Sequence, residues 1–195
     1  MRRTTAPPRF IAPNRIFLDT CTFQALCDCG GFIFGEDEFP ERNDYAPGAC
    51  PQVLIRPDAA EILISLRNIF LFDDRAHFDW IVSRQSLAEI DAAGNHSRSV
   101  YARDVIDHSS ICLSENPPPD TAAATAKIMS GPAFGFISEK DRQLLVDAAA
   151  CGCDTFLTIE KRLPRSADAV LRKVPLLIAT PERLWTLLYP HLQGL

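Results

Sequence analysis

The sequence predicts an α/β sandwich with a mainly parallel central sheet. Several short apolar runs have no polar interruption, which is typical of strands that helices cover on both faces. Apolar residues recur at helical spacing in the segments between these runs. Strands and helices therefore alternate along the chain, the order expected for a parallel sheet with crossover helices. The 195 residues suit one domain.

Each element follows from its own local pattern. The predicted strands are residues 15–19, 80–82, 111–113, 155–158 and 174–178. The predicted helices are a short turn at 22–26, helices at 97–108 and 121–129, and helices that begin at Pro57, Ser86, Ser138 and Pro181. Ser86 and Ser138 are each followed three residues later by an acid, the spacing of a capping box at a helix start. Gly152 is a typical helix end, and Pro181 is a typical first helical residue.

Residues 27–57 show neither the strand nor the helix pattern. Glycines and prolines recur throughout, as they do in loops. The segment contains six acids, Asp28, Glu36, Asp37, Glu38, Glu41 and Asp44. A structureless stretch of this length is unusual inside a compact domain and is often functional. We expect an inserted acidic loop that starts beside Asp19 and is either a cover over that end of the sheet or a passive surface insertion.

Composition excludes several classes of protein. No apolar run approaches the roughly 18 residues that a membrane span requires. Residues 1–14 have no apolar stretch, so we expect a flexible tail rather than a secretory signal, one domain at residues 15–195 and a cytoplasmic location. The seven cysteines are an odd number, which favours reduced thiols over a disulfide framework.

Four acids occupy related positions in the predicted fold. Asp19 ends the first strand, and Glu160 follows the fourth strand by two residues. Glu89 and Asp141 each take the fourth position of a predicted capping box. Because ligands of open parallel sheets bind beyond the carboxyl ends of the strands, we expect these acids to meet at that edge. Taken singly, each acid also has an ordinary role as a turn residue, a helix cap or a surface charge.

Clustered carboxylates have a definite chemical use. They repel one another unless protons or cations compensate their charge. Oxygen ligands of this kind suit Mg²⁺ or Mn²⁺, which activate water and stabilise the charge on a phosphate under attack. No obvious catalytic His or Cys accompanies the acids, so they indicate phosphodiester hydrolysis. The net charge of −5 is unusual for a nucleic-acid binder, although a bound cation inverts the local field.

Four motifs in this order resemble the PIN-domain family of ribonucleases. They are Ile16-Phe-Leu-Asp-Thr-Cys21, Val82-Ser-Arg-Gln-Ser-Leu-Ala-Glu-Ile90, Ile137-Ser-Glu-Lys-Asp-Arg-Gln-Leu-Leu-Val-Asp-Ala-Ala-Ala150 and Gly152-Cys-Asp-Thr-Phe-Leu-Thr-Ile-Glu160. The ending Pro175-Leu-Leu-Ile-Ala-Thr-Pro-Glu182 is also similar to that family's last strand and helix. No single motif is specific, but four in the same order are. The resemblance extends from about residue 15 to residue 188.

The resemblance implies a three-layer α/β/α sandwich and endonucleolytic cutting of single-stranded or structured RNA with a divalent metal. It assigns the metal-binding acids to Asp19, Glu89, Asp141 and Glu160. It also matches Thr20 and Thr158 to small polar residues beside the site. Many members are toxins of toxin–antitoxin pairs and form homodimers. RNA is therefore the implied substrate, an antitoxin or another protein the implied partner, and a homodimer the implied assembly.

Some alternatives stay open at this point. Asp147 follows Asp141 by six residues, about 240° around a helix, so only one of the two faces the site, and we assign Asp141. Glu160 stands where the family more often has Asp, and the acidic segment departs from the compact members. These departures keep open the alternative that the protein is a non-catalytic PIN-like module that binds RNA or protein. A hydrolase of small phosphate esters with the same α/β fold is a further alternative. The candidate phosphate contacts are Arg84, Arg98, Arg103, Arg162, Arg165, Arg172 and Lys173.

Overall fold

The computed structural model describes residues 13–46, 48–108, 111–115, 119–131 and 134–192. Within these ranges, five parallel strands form one sheet in the order β3-β2-β1-β4-β5. The strands are β1 (Arg15–Leu18), β2 (Asp79–Val82), β3 (Ile111–Leu113), β4 (Thr155–Leu157) and β5 (Leu177–Ala179). The predicted tail falls almost wholly on residues 1–12, which lie outside the described residues.

Helices cover both faces of the sheet. They are α1 (Thr20–Ile33), α2 (Ala59–Ala76), α3 (Arg84–Ala92), α4 (His96–His108), α5 (Pro119–Met129), α6 (Glu139–Ala150), α7 (Ala167–Leu171) and α8 (Pro181–Leu192). Successive side chains of a strand point to opposite faces. In β1, Ile16 and Leu18 pack in a core with α1, α2 and α8, whereas Phe17 packs in a second core with α6 and α7. The predicted three-layer α/β/α sandwich is confirmed.

The parallel arrangement brings the carboxyl ends of all five strands to one edge, which we call the carboxyl edge. β1 lies at the centre of the sheet, between β2 and β4. Its pairing continues one residue past the strand, since the Asp19 N–H donates to the Leu157 carbonyl at 3.0 Å. Asp19 therefore lies between the ends of β2 and β4, at the middle of this edge.

The largest correction concerns residues 27–57, which we predicted to be a loop. Helix α1 begins at Thr20 and continues to Ile33, but it is kinked at Cys29, whose φ of −129° and ψ of 23° are not helical. The other residues of the stretch 27–33 are helical. Cys29, Phe32 and Ile33 are buried in the core. Gly30 suggested a break, but a Cβ there would collide with the Tyr101 hydroxyl, so close packing of α4 explains the glycine. Tertiary contacts override the low helix propensity of glycine here.

The remainder of the predicted loop is partly structured. Short 3₁₀ turns occupy Arg42–Asp44 and Gln52–Ile55. Val53 and Leu54 are buried against the core, whereas residues 35–39 and 41–44 are exposed. Of the described residues in the predicted loop, only 34–46 and 48–50 form the surface segment that the sequence suggested, and the acids of this segment are exposed.

The start of α3 is a second correction. Ser83, not Ser86, precedes the helix, and its hydroxyl accepts a hydrogen bond from the Gln85 N–H at 3.0 Å. Ser86 is buried within the helix, and its hydroxyl pairs with the Thr20 hydroxyl at 2.7 Å. Glu89 thus lies in the second turn of α3 and is not part of a capping box.

One further prediction needs a smaller change, and one stands. The last strand is Leu177–Ala179 rather than residues 174–178, although Val174 and Leu176 are buried beside it. The helix that begins after Ser138 is as predicted, and Gly152 follows it with a φ of 71°. In the described ranges, no helix combines the length and the apolar character that crossing a membrane requires.

Candidate functional site at the carboxyl edge of the sheet

Asp19 is the most deeply placed acid of the carboxyl edge, with only 5% of its surface exposed. It occupies the N-cap position of α1, where an aspartate commonly accepts hydrogen bonds from the first turn. Its carboxylate accepts a hydrogen bond from the Thr158 hydroxyl at 2.7 Å, and its interaction with the Thr20 backbone at the start of α1 is the weaker of the two. The main partner of the side chain therefore lies at the end of β4.

The surroundings of Asp19 disfavour its charged form. Burial raises the pKa of this carboxyl, and the nearby carboxylates of Glu160 and Asp141 raise it further, to about 6. The hydrogen bond from Thr158 opposes this rise but does not cancel it. None of the ion pairs found in the described residues involves Asp19, Asp141 or Glu160. The centre of the edge thus has negative charge that no side chain neutralises within the described part of the chain.

Thr158 holds Asp19 and Glu160 in relation to each other. Its fully buried hydroxyl donates to Asp19 Oδ2 and accepts the backbone N–H of Glu160 at 3.1 Å. Thr22 fixes the same turn from α1, since its hydroxyl accepts the Ile159 N–H at 3.1 Å.

The half-buried Glu160 carboxylate accepts a hydrogen bond from the Cys21 thiol at 3.5 Å. Burial and the surrounding carboxylates raise the pKa of Cys21 to about 12, so this thiol is no nucleophile.

Asp141 reaches the site from the start of α6. The Ser138 hydroxyl accepts the Asp141 N–H at 3.1 Å and donates to Asp141 Oδ2 at 2.7 Å. Asp141 lines the same cavity as Glu160, and its charge acts on Asp19. The rival acid Asp147 instead accepts a hydrogen bond from Gln143 at 2.9 Å, and it is not among the residues that line this cavity. Of the two acids, the structure brings Asp141 to the site.

Glu89 lies on the β2 side of the edge and has partners of its own. The Lys140 ammonium lies 3.0 Å from Glu89 Oε1, and the Gln85 amide donates to the same oxygen at 3.1 Å. Partial burial raises the pKa of Glu89, but the contacts with Gln85, Lys140 and Thr20 outweigh it and leave this pKa below its ordinary value. Thr20 thereby links this acid to the start of α1.

The four predicted acids therefore lie along one edge in different electrostatic settings. Asp19, Asp141 and Glu160 interact through their charges, while Glu89 is paired with Lys140. Among the described residues, no group of three His, Cys, Asp or Glu side chains is arranged to hold a metal ion.

A cavity of about 330 Å³ opens beside these acids. Asp141 and Glu160 line it together with Phe136, Arg162 and Arg165. Two of the seven basic residues considered from the sequence thus lie at the site. Arg98 and Arg103 are instead paired with Asp28 and Asp91, and Arg84, Arg172 and Lys173 are exposed and do not line this cavity.

A second cavity, of about 300 Å³, lies on the other side of Glu160. Gln52, Val53 and Arg56 line it with Cys21. The end of the predicted 27–57 insertion therefore borders this cavity. Whether the insertion is a cover or a passive surface insertion stays a prediction. Asp58 secures this end, because it accepts hydrogen bonds from Arg56 at 3.2 Å and lies 2.8 Å from the Lys161 ammonium.

Sequence reasoning missed Lys140, Phe136 and the buried link between Thr20 and Ser86. Lys140 stands directly before Asp141, and nothing in the local pattern shows that it reaches Glu89 on another helix. Comparison of the chain with protein-family models, curated proteins and solved structures finds no match. The geometry and chemistry of the carboxyl edge therefore have to support any proposal about function.

Proposed function

We propose that the protein is a divalent-metal-dependent endoribonuclease that hydrolyses RNA phosphodiester bonds at the carboxyl edge. The observation that carries the proposal is the buried Asp19 carboxylate, whose charge is opposed by Glu160 and Asp141. A buried charge without a cationic partner is costly to a folded protein unless something compensates it. Such an arrangement is typical of functional sites rather than of structural ones.

The donor set supports a hard divalent cation. The groups around Asp19 are carboxylate and hydroxyl oxygens, and Mg²⁺ and Mn²⁺ prefer oxygen ligands. Asp19, Asp141 and Glu160 would hold the ion, with Glu89 as a fourth ligand once it is released from Lys140. When bound, the ion lowers the pKa of a coordinated water and stabilises the charge of an attacked phosphate.

The chain's own residues have distinct tasks in this proposal. Thr158 orients the Asp19 carboxylate and fixes the Glu160 backbone, while Ser138 orients Asp141. Burial of Asp19 keeps bulk water from competing for its carboxylate. Arg162 and Arg165 line the adjacent cavity, where their guanidinium groups suit the binding of RNA phosphates.

Cleavage assays with purified protein test the proposal. Unstructured and structured RNA would each be incubated with Mg²⁺, with Mn²⁺ and with EDTA, and p-nitrophenyl phosphate would serve as a small ester. We expect internal cuts in RNA with either metal and none with EDTA. Hydrolysis of the small ester without RNA cleavage would instead support a phosphatase. RNA cleavage that persists in EDTA would contradict the proposal.

A non-catalytic PIN-like module that binds RNA or protein is the second candidate. The Lys140–Glu89 ion pair favours this candidate, because Lys140 occupies a carboxylate that was predicted to bind the metal. The absence of a three-residue metal group among the described residues is consistent with it. Binding of RNA without any metal-dependent cut would support this candidate. An antitoxin partner, a homodimer and a cytoplasmic location stay predictions under either function.

A further inference from the structure

Phe136 has an unusual position beside the candidate site. It is 67% exposed, the most of any large apolar side chain in the described residues. Its neighbours Phe134 and Ile137 are buried, with exposures of 1% and 5%. The Ile137 N–H donates to the Phe134 carbonyl at 3.0 Å and closes a tight turn between them. The two anchored residues therefore hold the Phe136 ring out of the core on a short, constrained turn.

The cavity next to this ring is lined by side chains of both charges. Asp141 and Glu160 are its acids, and Arg162 and Arg165 are its bases. Both arginines are exposed, and neither takes part in an ion pair in the described part of the chain. The volume of about 330 Å³ is at the small end of the roughly 300–1,000 Å³ found for ligand sites. It therefore suits one small polar unit.

We propose that this cavity is a subsite for one unpaired nucleotide of a single-stranded RNA, with Phe136 stacking on its base and Arg162 and Arg165 contacting its phosphates. The inference rests on the proposed nuclease function and specifies which part of the substrate lies beside the acids. Exposed aromatic rings next to basic groups are the usual elements of single-strand binding. A paired base has no free face for the ring, so the subsite selects unpaired positions.

The arrangement explains how an acidic protein retains RNA at this edge. Asp141 and Glu160 repel the phosphates of the RNA, whereas Arg162 and Arg165, which line the same cavity, attract them. Stacking on Phe136 is independent of charge and does not depend on base identity, because every base has an aromatic face. The subsite therefore predicts a preference for unpaired RNA with little preference among bases.

Binding measurements on a non-cleaving background test the subsite. Asp19→Asn would be combined with each further substitution, and the affinity for short fluorescein-labelled oligouridylate and oligoadenylate would be measured by anisotropy in Mg²⁺. Phe136→Ala should weaken binding of both roughly tenfold. Phe136→Trp should restore affinity and show quenching of its fluorescence by RNA. Arg165→Gln should weaken binding and reduce the salt dependence by about one charge.

Tyr189→Ala is the matched control. Tyr189 is also an exposed aromatic residue, at 52%, but it lies near the far end of α8, away from the carboxyl edge. We expect this variant to bind like its parent. Wild-type affinity for Phe136→Ala, no binding by the parent, or equal binding of fully paired RNA would each overturn the subsite. Binding and quenching as expected, in a wild-type protein that never cuts RNA, would retain the subsite and reject the nuclease.

Discussion

Asp19 and Glu89 follow neighbouring strands at the same edge of the sheet, yet their environments are opposite. Asp19 is 5% exposed, and burial together with Glu160 and Asp141 raises its pKa to about 6. The Glu89 side chain is 26% exposed, and the contacts with Gln85 and Lys140 keep its pKa below the ordinary value. The Asp19 side of the edge thus has negative charge with no ion-pair partner among the described residues, whereas Glu89 is already paired with Lys140.

The difference teaches that strand-end acids in one fold are not equivalent ligands. Position along the chain places both residues near the same point, but burial and neighbours decide which one needs a cation. We infer that Asp19, with Glu160 and Asp141, is the principal part of the proposed metal site. Glu89 joins it only by exchanging Lys140 for the metal. Four measurements would sharpen or break this contrast.

The largest expected effect is on catalysis. Asp19→Asn removes a ligand charge with little change in volume, and we expect RNA cleavage to fall by more than the roughly 10–100-fold typical of losing an outer partner at a metal site. Glu89→Gln should stay within that 10–100-fold range. Asp147→Asn, an equal change in charge outside the site, should cut RNA at the wild-type rate. Initial rates of cleavage of one RNA in Mn²⁺ give the comparison, and equal losses for Asp19→Asn and Glu89→Gln would abolish the contrast.

The second effect is on stability without metal. Because the folded pKa of Asp19 lies above the unfolded value, the native state binds the proton more tightly between about pH 4 and pH 6. Stability in EDTA should therefore fall as the pH rises through this window and stay low above it. The rise of the Asp19 pKa from 3.8 to about 6 corresponds to a loss of about 3 kcal/mol in the free energy of unfolding. Asp19→Asn should remove the loss and raise the melting temperature at neutral pH by several degrees.

Thermal unfolding in EDTA from pH 4 to pH 8 measures this effect as the difference between the variant and the wild type. Mn²⁺ should raise the wild-type melting temperature by binding the native state, and should do so much less in Asp19→Asn. A difference that does not change with pH would show that the Asp19 charge is already compensated. Asp147→Asn again serves as the control, since its carboxyl lies outside the site.

The third effect concerns the Thr158 hydroxyl, which donates a hydrogen bond to the buried Asp19 carboxylate. Thr158→Val deletes the donor to Asp19 Oδ2 and the acceptor for the Glu160 N–H. Leaving buried polar groups unpaired costs about 1–3 kcal/mol, so urea unfolding should show a loss of that size. Because the lost hydrogen bond lowers the pKa of Asp19, the pH window described above should move upward. Thr158→Ser retains the hydroxyl and should restore both properties.

Much of the fold was accessible from the sequence because apolar periodicity reports directly on burial. The runs that became β1, β2 and β4 are continuous, and each is fully or almost fully buried in the sheet. Residues 27–33 were misassigned because Gly30 indicates the end of a helix, whereas the chain only kinks beside it, at Cys29, and continues to Ile33. The glycine itself is explained by the approach of Tyr101 from α4, a contact between distant parts of the chain that the local pattern does not contain.

The site was accessible to a similar degree. Asp19 and Glu160 were predicted to lie at one edge because they follow parallel strands, and Asp141, which follows no strand, was placed there by topology. The structure has the charges of Glu160 and Asp141 acting on Asp19. The electrostatic state of each acid was not accessible, because it depends on partners from other elements. Lys140 reaches Glu89 from α6, and Ser86 of α3 meets Thr20 of α1. Such pairings follow from how helices pack, which composition and periodicity do not specify.

The smallest expected effect tests Lys140 itself. Lys140 is 69% exposed in its pair with Glu89, and exposed ion pairs contribute about 0–1 kcal/mol. If Lys140 competes with the metal for Glu89, Lys140→Gln should lower the Mn²⁺ concentration at half saturation by up to about fivefold. Lys161→Gln is the matched control, since Lys161 is 64% exposed, follows Glu160 directly and pairs with Asp58, which is not a predicted ligand. Both changes remove one positive charge near the acids, so any general gain in cation affinity appears in both. Calorimetric Mn²⁺ titrations that give Lys140→Gln a larger gain would establish competition at Glu89, whereas equal gains would show that Glu89 keeps its lysine and takes no part in the metal site.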